Sequence, residues 1–268
     1  MIVMFKRHRH RVILLSFFLL LPVAYFLLMP NLSRLKKENP KKTALMEYRE
    51  RSSKEKRRRY RAYQVWTPFS KISPYLVKAV LIAEDDKFWG HEGFDYEAIE
   101  KALERDLKAK KFKFGGSTIT QQLARNLYLS PEKSLIRKVS EAVITRRMEK
   151  VLSKKRILEL YLNVVEWGDG IFGAEAASRY YYGKSSSELT PEEAARLASV
   201  LPNPRKYNPA GDQRYVISRS NLIYSIMIQR GIVIPEYKDV MESSESSSSG
   251  EAVSEAPVSN EEGAAADK

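Results

Sequence analysis

Three short stretches carry residue types at spacings that could do chemistry. The first is Ala83–Asp95, AEDDKFWGHEGFD, where an apolar helical run, SPYLVKAVLIA, delivers Glu84, Asp85 and Asp86 to its end. A carboxylate placed there can be half-buried, and desolvation then raises its pKa toward that of a usable general base. The same stretch also reads as a solvated acidic helix end followed by a loop. The second is Gly115–Asn126, GGSTITQQLARN: two glycines lead into a helix whose first turn offers N–H groups, the hydroxyls of Ser117 and Thr118, and the amides of Gln121 and Gln122. Such a junction suits an anionic or sugar-like ligand, although most junctions of this kind only cap a helix. It is not a nucleotide-type phosphate loop, because GxxxxGK[ST] is absent. The third is Arg137, Lys138 and Glu141, with both cations within four residues of the carboxylate on one predicted helix. This is either an ordinary surface ion-pair cluster or a cationic site for pyrophosphate. The metal signal is weak: His91-Glu92-Gly93 is not HExxH, and the chain has three histidines and no cysteine. His91 is read as a structural hydrogen-bonding residue.

The elements that must position these groups are helical. Ser73 is placed to cap a helix with Pro74 in its first turn, and Asp95 to cap Tyr96–Lys110. Ser134 opens a long helix to about Leu152, with Leu135, Ile136, Val139, Val143, Met148 and Val151 as its apolar positions. Ser153 starts KKRILELYLN, and Ala174–Tyr182 ends at Gly183, a natural left-handed cap. Thr190-Pro191-Glu192-Glu193 is a capping box, and a last helix over Asp212 to Arg230 stops at Gly231. With no sustained period-2 alternation, residues 65–240 are expected to form an all-α domain of about 175 residues, enough for its own core.

The flanks differ in kind. Val12–Met29 is 18 residues without a charge, near the lower limit for a membrane span. It follows Lys6, Arg7, Arg9 and Arg11, and no small-x-small cleavage site comes after it, so an uncleaved anchor is expected rather than a signal peptide. Arg34, Lys36, Lys37, Lys41 and Lys42 lie on its other side, so charge counting leaves the orientation open. Residues 30–64 read as a basic, solvated juxtamembrane linker. Residues 241–268 hold seven acidic residues and one lysine and lack aromatics, so they are expected to be disordered. The chain carries a net charge of +13, which calls for an anionic partner. Lys108-Ala109-Lys110-Lys111-Phe112-Lys113-Phe114 reads as an interfacial segment, with Phe112 and Phe114 among lipid headgroups. It has too few aromatics for a nucleic-acid platform, and no nucleic-acid partner is expected.

Taken in order, EDDKFWGHEG, GGSTITQQ, RKVSEAVITRRMEKVLSKKRILELYLN and GDGIFGAEAASRYYYGK resemble the motifs of peptidoglycan glycosyltransferases, glycosyltransferase family 51. The likeness runs from about Val65 to Asn208. Neither a transpeptidase domain nor an SxxK stretch with its companion motifs follows, so a monofunctional biosynthetic member is expected. The resemblance implies a lysozyme-like, mostly helical fold with a head lobe and a smaller membrane-dipping jaw between Asp95 and Gly115. It implies Glu84 as general base and Glu141 as the second glutamate, in the donor site near the pyrophosphate. Ser117, Thr118, Gln122, Arg125, Arg137 and Lys138 match positions that grip donor sugar and pyrophosphate, while Phe88 and His91 match residues that shape the site. At position 125 several relatives carry Lys; an arginine is a planar fork where lysine is a point charge. No cofactor is implied as obligatory, with Mg²⁺ or Mn²⁺ optional and Glu141 the candidate ligand. The implied partners are lipid II, the lipid-linked growing glycan and cell-division or cell-wall synthesis proteins. The implied location is the inner membrane, with residues 1–11 cytoplasmic and the catalytic domain outside. The nearest rival is a lysozyme-like hydrolytic or lytic enzyme using Glu84 as acid; a non-enzymatic, membrane-tethered scaffold is the other.

Overall fold

A computed structural model describes residues 30–57, 59–109, 116–132 and 134–234. The expected anchor over 12–29, Phe112, Phe114, Gly115 and the acidic tail lie outside the described residues. Among those described, no helix is long and apolar enough to cross a membrane.

In chain order the helices are α1 (Ala44–Glu55), α2 (Pro74–Glu84), α3 (Tyr96–Ala109), α4 (Ile119–Tyr128) and α5 (Leu135–Val151), then α6 (Lys154–Val164), α7 (Ala174–Tyr182), α8 (Pro191–Val200) and α9 (Arg214–Gln229). The core has two packed groups. One joins α2, α8 and α9; the other places α4 between α1, α5 and α6. Leu76, Val80, Ile119, Leu123, Ile157, Leu158 and Leu160 are fully buried between them.

Most helix ends follow the capping residues. Asp95 Oδ1 accepts from Ala98 N at 2.9 Å, and Ser153 Oγ accepts from Arg156 N. The Thr190 box is closed in both directions with Glu193, and α7 ends on a left-handed Gly183. Ser73 departs from expectation. Its hydroxyl does not cap α2 but donates to Leu189 O at 3.1 Å, tying the start of α2 to the turn before α8.

The domain is mostly helical rather than all-α. Three short strands, β1 (Tyr63–Gln64), β2 (Glu166–Gly168) and β3 (Ile171–Phe172), form one sheet in the order β1-β3-β2. β1 runs parallel to β3 and β2 antiparallel to it. Strands this short are held by side-chain clamps as much as by the ladder. Asn163 Nδ2 donates to Thr67 O at 2.9 Å, and its Oδ1 accepts from Thr67 N at 2.8 Å. Gly173 follows β3 at φ +85°, and a Cβ there would fall 2.7 Å from Asn163 O, so only glycine lets the chain pass.

Residues 30–64, expected as a solvated linker, pack onto the domain. Leu32 and Leu35, in a 3-10 turn over Leu32–Lys36, are buried in the main core. α1 lies against α4, and Leu45 and Met46 pack with Phe172. Arg49 Nε and Nη2 donate to Glu166 Oε2 at 3.1 and 2.7 Å. The basic residues stay at the surface of these elements while the few apolar ones turn inward, which net charge alone concealed.

A second correction concerns α5. Leu135, Ile136 and Val139, expected on its buried face, are 87%, 77% and 61% exposed. The inward face is Ser140, Glu141, Ile144, Thr145 and Met148. A carboxylate can occupy that position because cations three and four residues earlier neutralise it.

Candidate active site

α2 ends at Glu84, and the two adjacent carboxylates, Glu84 and Asp85, go to different tasks. Asp85 is buried. Its Oδ2 accepts from Ile119 N at 2.9 Å and its Oδ1 faces His91 Nε2 at 2.8 Å. His91 Nδ1 accepts from Gly93 N at 3.1 Å, so the ring proton sits on Nε2 and is donated to Asp85. The first turn of α4, expected to offer free N–H groups to a ligand, is thus filled internally. Asp85 occupies Ile119 N, and Thr118 and Gln121 close a capping box. The Thr118 hydroxyl also donates to Gly93 O at 2.7 Å.

The loop carrying Phe88 and His91 is fastened from below. Phe88 is fully buried, edge-on to Trp89 and His91, with Lys154 Nζ 4.4 Å from its ring centroid. Gly93, at φ +93°, passes so close to α5 that a Cβ would sit 2.7 Å from Thr145 Cγ2. Under it, Glu149 Oε1 accepts from Thr120 Oγ1 at 2.6 Å and from Lys154 Nζ at 2.8 Å. Phe88 and His91 therefore support the site from beneath, while Thr118 is fixed by Gly93 and Gln121 where it lines the cleft.

Glu84 has a different setting. It lines a cleft of about 250 Å³ together with Lys87, Asp95, Ser117 and Thr118. Its side chain is 12% exposed. Gln122 Nε2 donates to Oε2 at 2.9 Å, and Arg219 Nη2 lies 3.8 Å from Oε1. Burial pushes the Glu84 pKa up. The Gln122 hydrogen bond and the charges of Arg219 and Arg125 pull against that shift, and Asp85 adds to it. A carboxyl raised mainly by desolvation and facing a cleft fits a general base.

Sequence reasoning missed two partners of Glu84. Tyr161, wholly buried on α6, donates its hydroxyl to Gln122 Oε1 at 3.1 Å. Burial and the nearby Glu84 charge push the Tyr161 pKa well up, so it remains a donor. Arg219, on α9, donates to Ala83 O at 3.1 Å. Only the apolar spacing of YLN and the basic residue inside an otherwise apolar helix hinted at either. Gln122, expected to grip the donor, has its amide engaged on both sides.

Arg125 lies one turn beyond Gln122 and lines a second cavity of about 170 Å³ with Arg49, Asn126 and Glu166. Among the described residues the Arg125 side chain has no hydrogen-bonded or ion-paired partner. The third expected cluster forms on α5: Arg137 Nη1 and Lys138 Nζ each lie 2.5 Å from a different oxygen of the fully buried Glu141. None of these three residues lines the Glu84 cleft. Nor do they fit a divalent cation, since both Glu141 oxygens already hold cationic partners. No group of three or more His, Asp or Glu among the described residues could hold one either.

The family model described as Transglycosylase matches residues 50–228, beginning inside α1. A biosynthetic peptidoglycan transglycosylase of Dechloromonas aromatica is 53% identical over 170 residues, 63% of this chain and 74% of that protein. One from Azoarcus is 52% identical over 194 residues, 72% and 84% of the two chains. One from Herminiimonas arsenicoxydans is 44% identical over 215 residues, covering 78% and 93%. With the match spanning two thirds of its length, the chain belongs to the transglycosylase family.

Proposed function

We propose that the protein polymerises the glycan strands of peptidoglycan, with Glu84 as the base. The acceptor is lipid II and the donor is the lipid-linked growing glycan. Glu84 takes the proton from the 4-hydroxyl of the acceptor N-acetylglucosamine. That oxygen bonds to C1 of the donor N-acetylmuramic acid as the bond from C1 to the pyrophosphate oxygen breaks. Inversion at C1 gives a β-1,4 link, and undecaprenyl pyrophosphate leaves. Positive charge must meet the leaving group as that bond breaks, and Arg125, whose side chain has no ion-paired partner among the described residues and lies one turn from Gln122, is a cation free to supply it. Arg137 and Lys138, held by Glu141, form a second cationic group at the donor side, and Ser117 lines the cleft beside the base. No step needs a metal.

In this reading the fold is lysozyme-like, with a jaw between Asp95 and Gly115 beside a larger head. Residues 12–29 anchor the chain in the inner membrane, amino terminus cytoplasmic, and Phe112 and Phe114 meet lipid. Cell-wall synthesis proteins are its expected partners. The exposed stripe Tyr96, Ile99, Leu103 and Leu107 on α3 suits a domain working at the bilayer.

The observation that carries the reading is the Glu84 carboxyl: desolvated, hydrogen-bonded by Gln122 and open to a cleft. The test is incubation of the detergent-solubilised full chain with labelled lipid II. Wild type is expected to yield polymer and Glu84→Gln none, with the fold retained. Polymer from Glu84→Gln at the wild-type rate would remove Glu84 as base. Cleavage of preformed glycan with no polymerisation would replace the reading with a lytic one.

A further inference from the structure

We propose that Arg219 and the Gln122–Tyr161 pair are positioning residues, which hold the Glu84 carboxylate in place for proton abstraction from two sides. The proposal rests on the polymerase reading and extends it to Arg219, which lies outside the motifs that suggested it.

The geometry is that of a clamp. Oε2 of Glu84 is fixed by Gln122 Nε2 at 2.9 Å. The far side of the Gln122 amide is held by Tyr161, whose hydroxyl donates to its Oε1 at 3.1 Å. The ionised Glu84 carboxylate can only accept, so it takes the amide NH₂ and leaves Oε1 to the Tyr161 hydroxyl, which holds the amide from behind. From the opposite side Arg219 is tethered to Ala83 O at 3.1 Å, one residue before the base. Its Nη2 then stands 3.8 Å from Oε1, too long for a hydrogen bond but close enough for charge to act. That oxygen has no hydrogen bond from the described residues and is the one left for the acceptor hydroxyl. Arg219 is not there to complete a packing network: its Nε is buried without a hydrogen-bond acceptor. Three helices thus converge on one carboxylate, α4 and α6 through Gln122 and Tyr161, and α9 through Arg219.

The charged groups facing Glu84 come from every side. Asp85, Asp86 and Lys87 follow it in the chain. Asp95, Glu97 and Lys101 line the cleft opposite, Arg125 lies on α4 and Arg219 on α9. Lys87 and Lys101 both pair with Glu97, and Arg230 pairs with Asp86. Arg219 is therefore a cation close to Glu84 that has no carboxylate of its own, which is why removing it should show.

The test compares wild type, Arg219→Met, Arg219→Lys and Tyr161→Phe, full chain in detergent, by two readouts. The first is kcat and KM for lipid II polymerisation across pH. The second is the titration of the Glu84 carboxyl followed by ¹³C NMR, assigned by the signal missing from Glu84→Gln. In Arg219→Met the acid limb of kcat should move to higher pH, with about a tenfold fall at neutral pH and recovery in alkali. KM should change less. The lysine variant should return the limb toward wild type, and Tyr161→Phe should move it in the same direction by less. A merely structural role would lower the profile at all pH values without moving it. The idea is overturned if the Glu84 carboxyl titrates alike in wild type and Arg219→Met. If the methionine variant does not fold, Arg219→Gln, which can still donate to Ala83 O, takes its place. Should wild type form no polymer, the polymerase reading fails while the carboxyl titration still decides the clamp.

Discussion

Replacing Glu141 by glutamine removes one negative charge from a fully buried position without changing side-chain volume much. The wild-type carboxylate holds Arg137 and Lys138 at 2.5 Å each. The two cations are not equivalent: the Arg137 side chain is 16% exposed and that of Lys138 is 47%. Losing the acid leaves a largely buried guanidinium beside a neutral amide. Breaking a buried pair in this way costs about 3–5 kcal/mol, and the lower end applies because Lys138 can turn to water. Arg137→Ala leaves Lys138 to neutralise the acid and should cost about 2 kcal/mol, while Lys138→Ala, like other half-exposed pairs, should cost under ~1 kcal/mol. For a domain of this size Tm falls roughly 2–4 °C per kcal/mol. Thermal melts by circular dichroism should therefore show Glu141→Gln down by about 6–12 °C and Lys138→Ala within about 4 °C of wild type. The double variant Arg137→Met/Glu141→Leu, which removes the buried charge altogether, should be more stable than Glu141→Gln. An unchanged melt for Glu141→Gln, or a Lys138→Ala penalty as large, would refute this account of the cluster. The assay also bears on function: loss of activity in Glu141→Gln reports on catalysis only below the lowered melting transition.

Two further outcomes are expected. Arg49→Ala should strand the buried Glu166 carboxylate, lower stability by about 3 kcal/mol and open the region before β1 to proteolysis; an unchanged melt and digestion pattern would detach residues 30–57 from the folded unit. Glu84→Gln should stabilise the fold in a pH-dependent way. Burial raises the Glu84 pKa above its ordinary 4.5, so wild type loses stability as pH rises from about that value through the raised one. The Tm advantage of Glu84→Gln should be small near pH 4 and grow toward neutrality; an advantage independent of pH, or one that shrinks, would contradict the burial argument.

Local signals were legible where a single residue acts on its own neighbours. Asp95, Ser153, Thr190 and Gly183 sit at helix ends because their side chains, or the lack of one, satisfy backbone groups within a turn. The sheet was not legible, because strands of two and three residues show no period. α5 misled because apolar spacing gives a stripe but not the side from which the protein will cover it. Residues 30–64 misled because Leu32, Leu35 and Met46 are few among many cations, yet a buried leucine weighs more than a solvated lysine. At the site, Glu84 and Gln122 were named from motifs, whereas Tyr161 and Arg219 were not. Arg219 meets Ala83 across 136 residues of chain, and only the packing of α9 on α2 brings them together.

The contrast between Glu84 and Asp85 shows how one helix end can serve both structure and chemistry. The residues are adjacent, carry the same functional group and leave α2 in different directions. Asp85 turns inward, where both oxygens are engaged, one by the first N–H of α4 and one by His91. It joins three segments and has little freedom to react. Glu84 turns to the cleft, where one oxygen is held by Gln122 and the other only approached by Arg219. A base needs this partial satisfaction: enough contact to fix its direction, and too little to remove its affinity for a proton. Exchanging the two side chains would therefore not exchange their roles. Glutamate at 85 is one methylene too long for the place between Ile119 N and His91. Aspartate at 84 would draw back from both Gln122 and the cleft. The reactivity of Glu84 comes from the rigid fit of its neighbour as much as from its own surroundings.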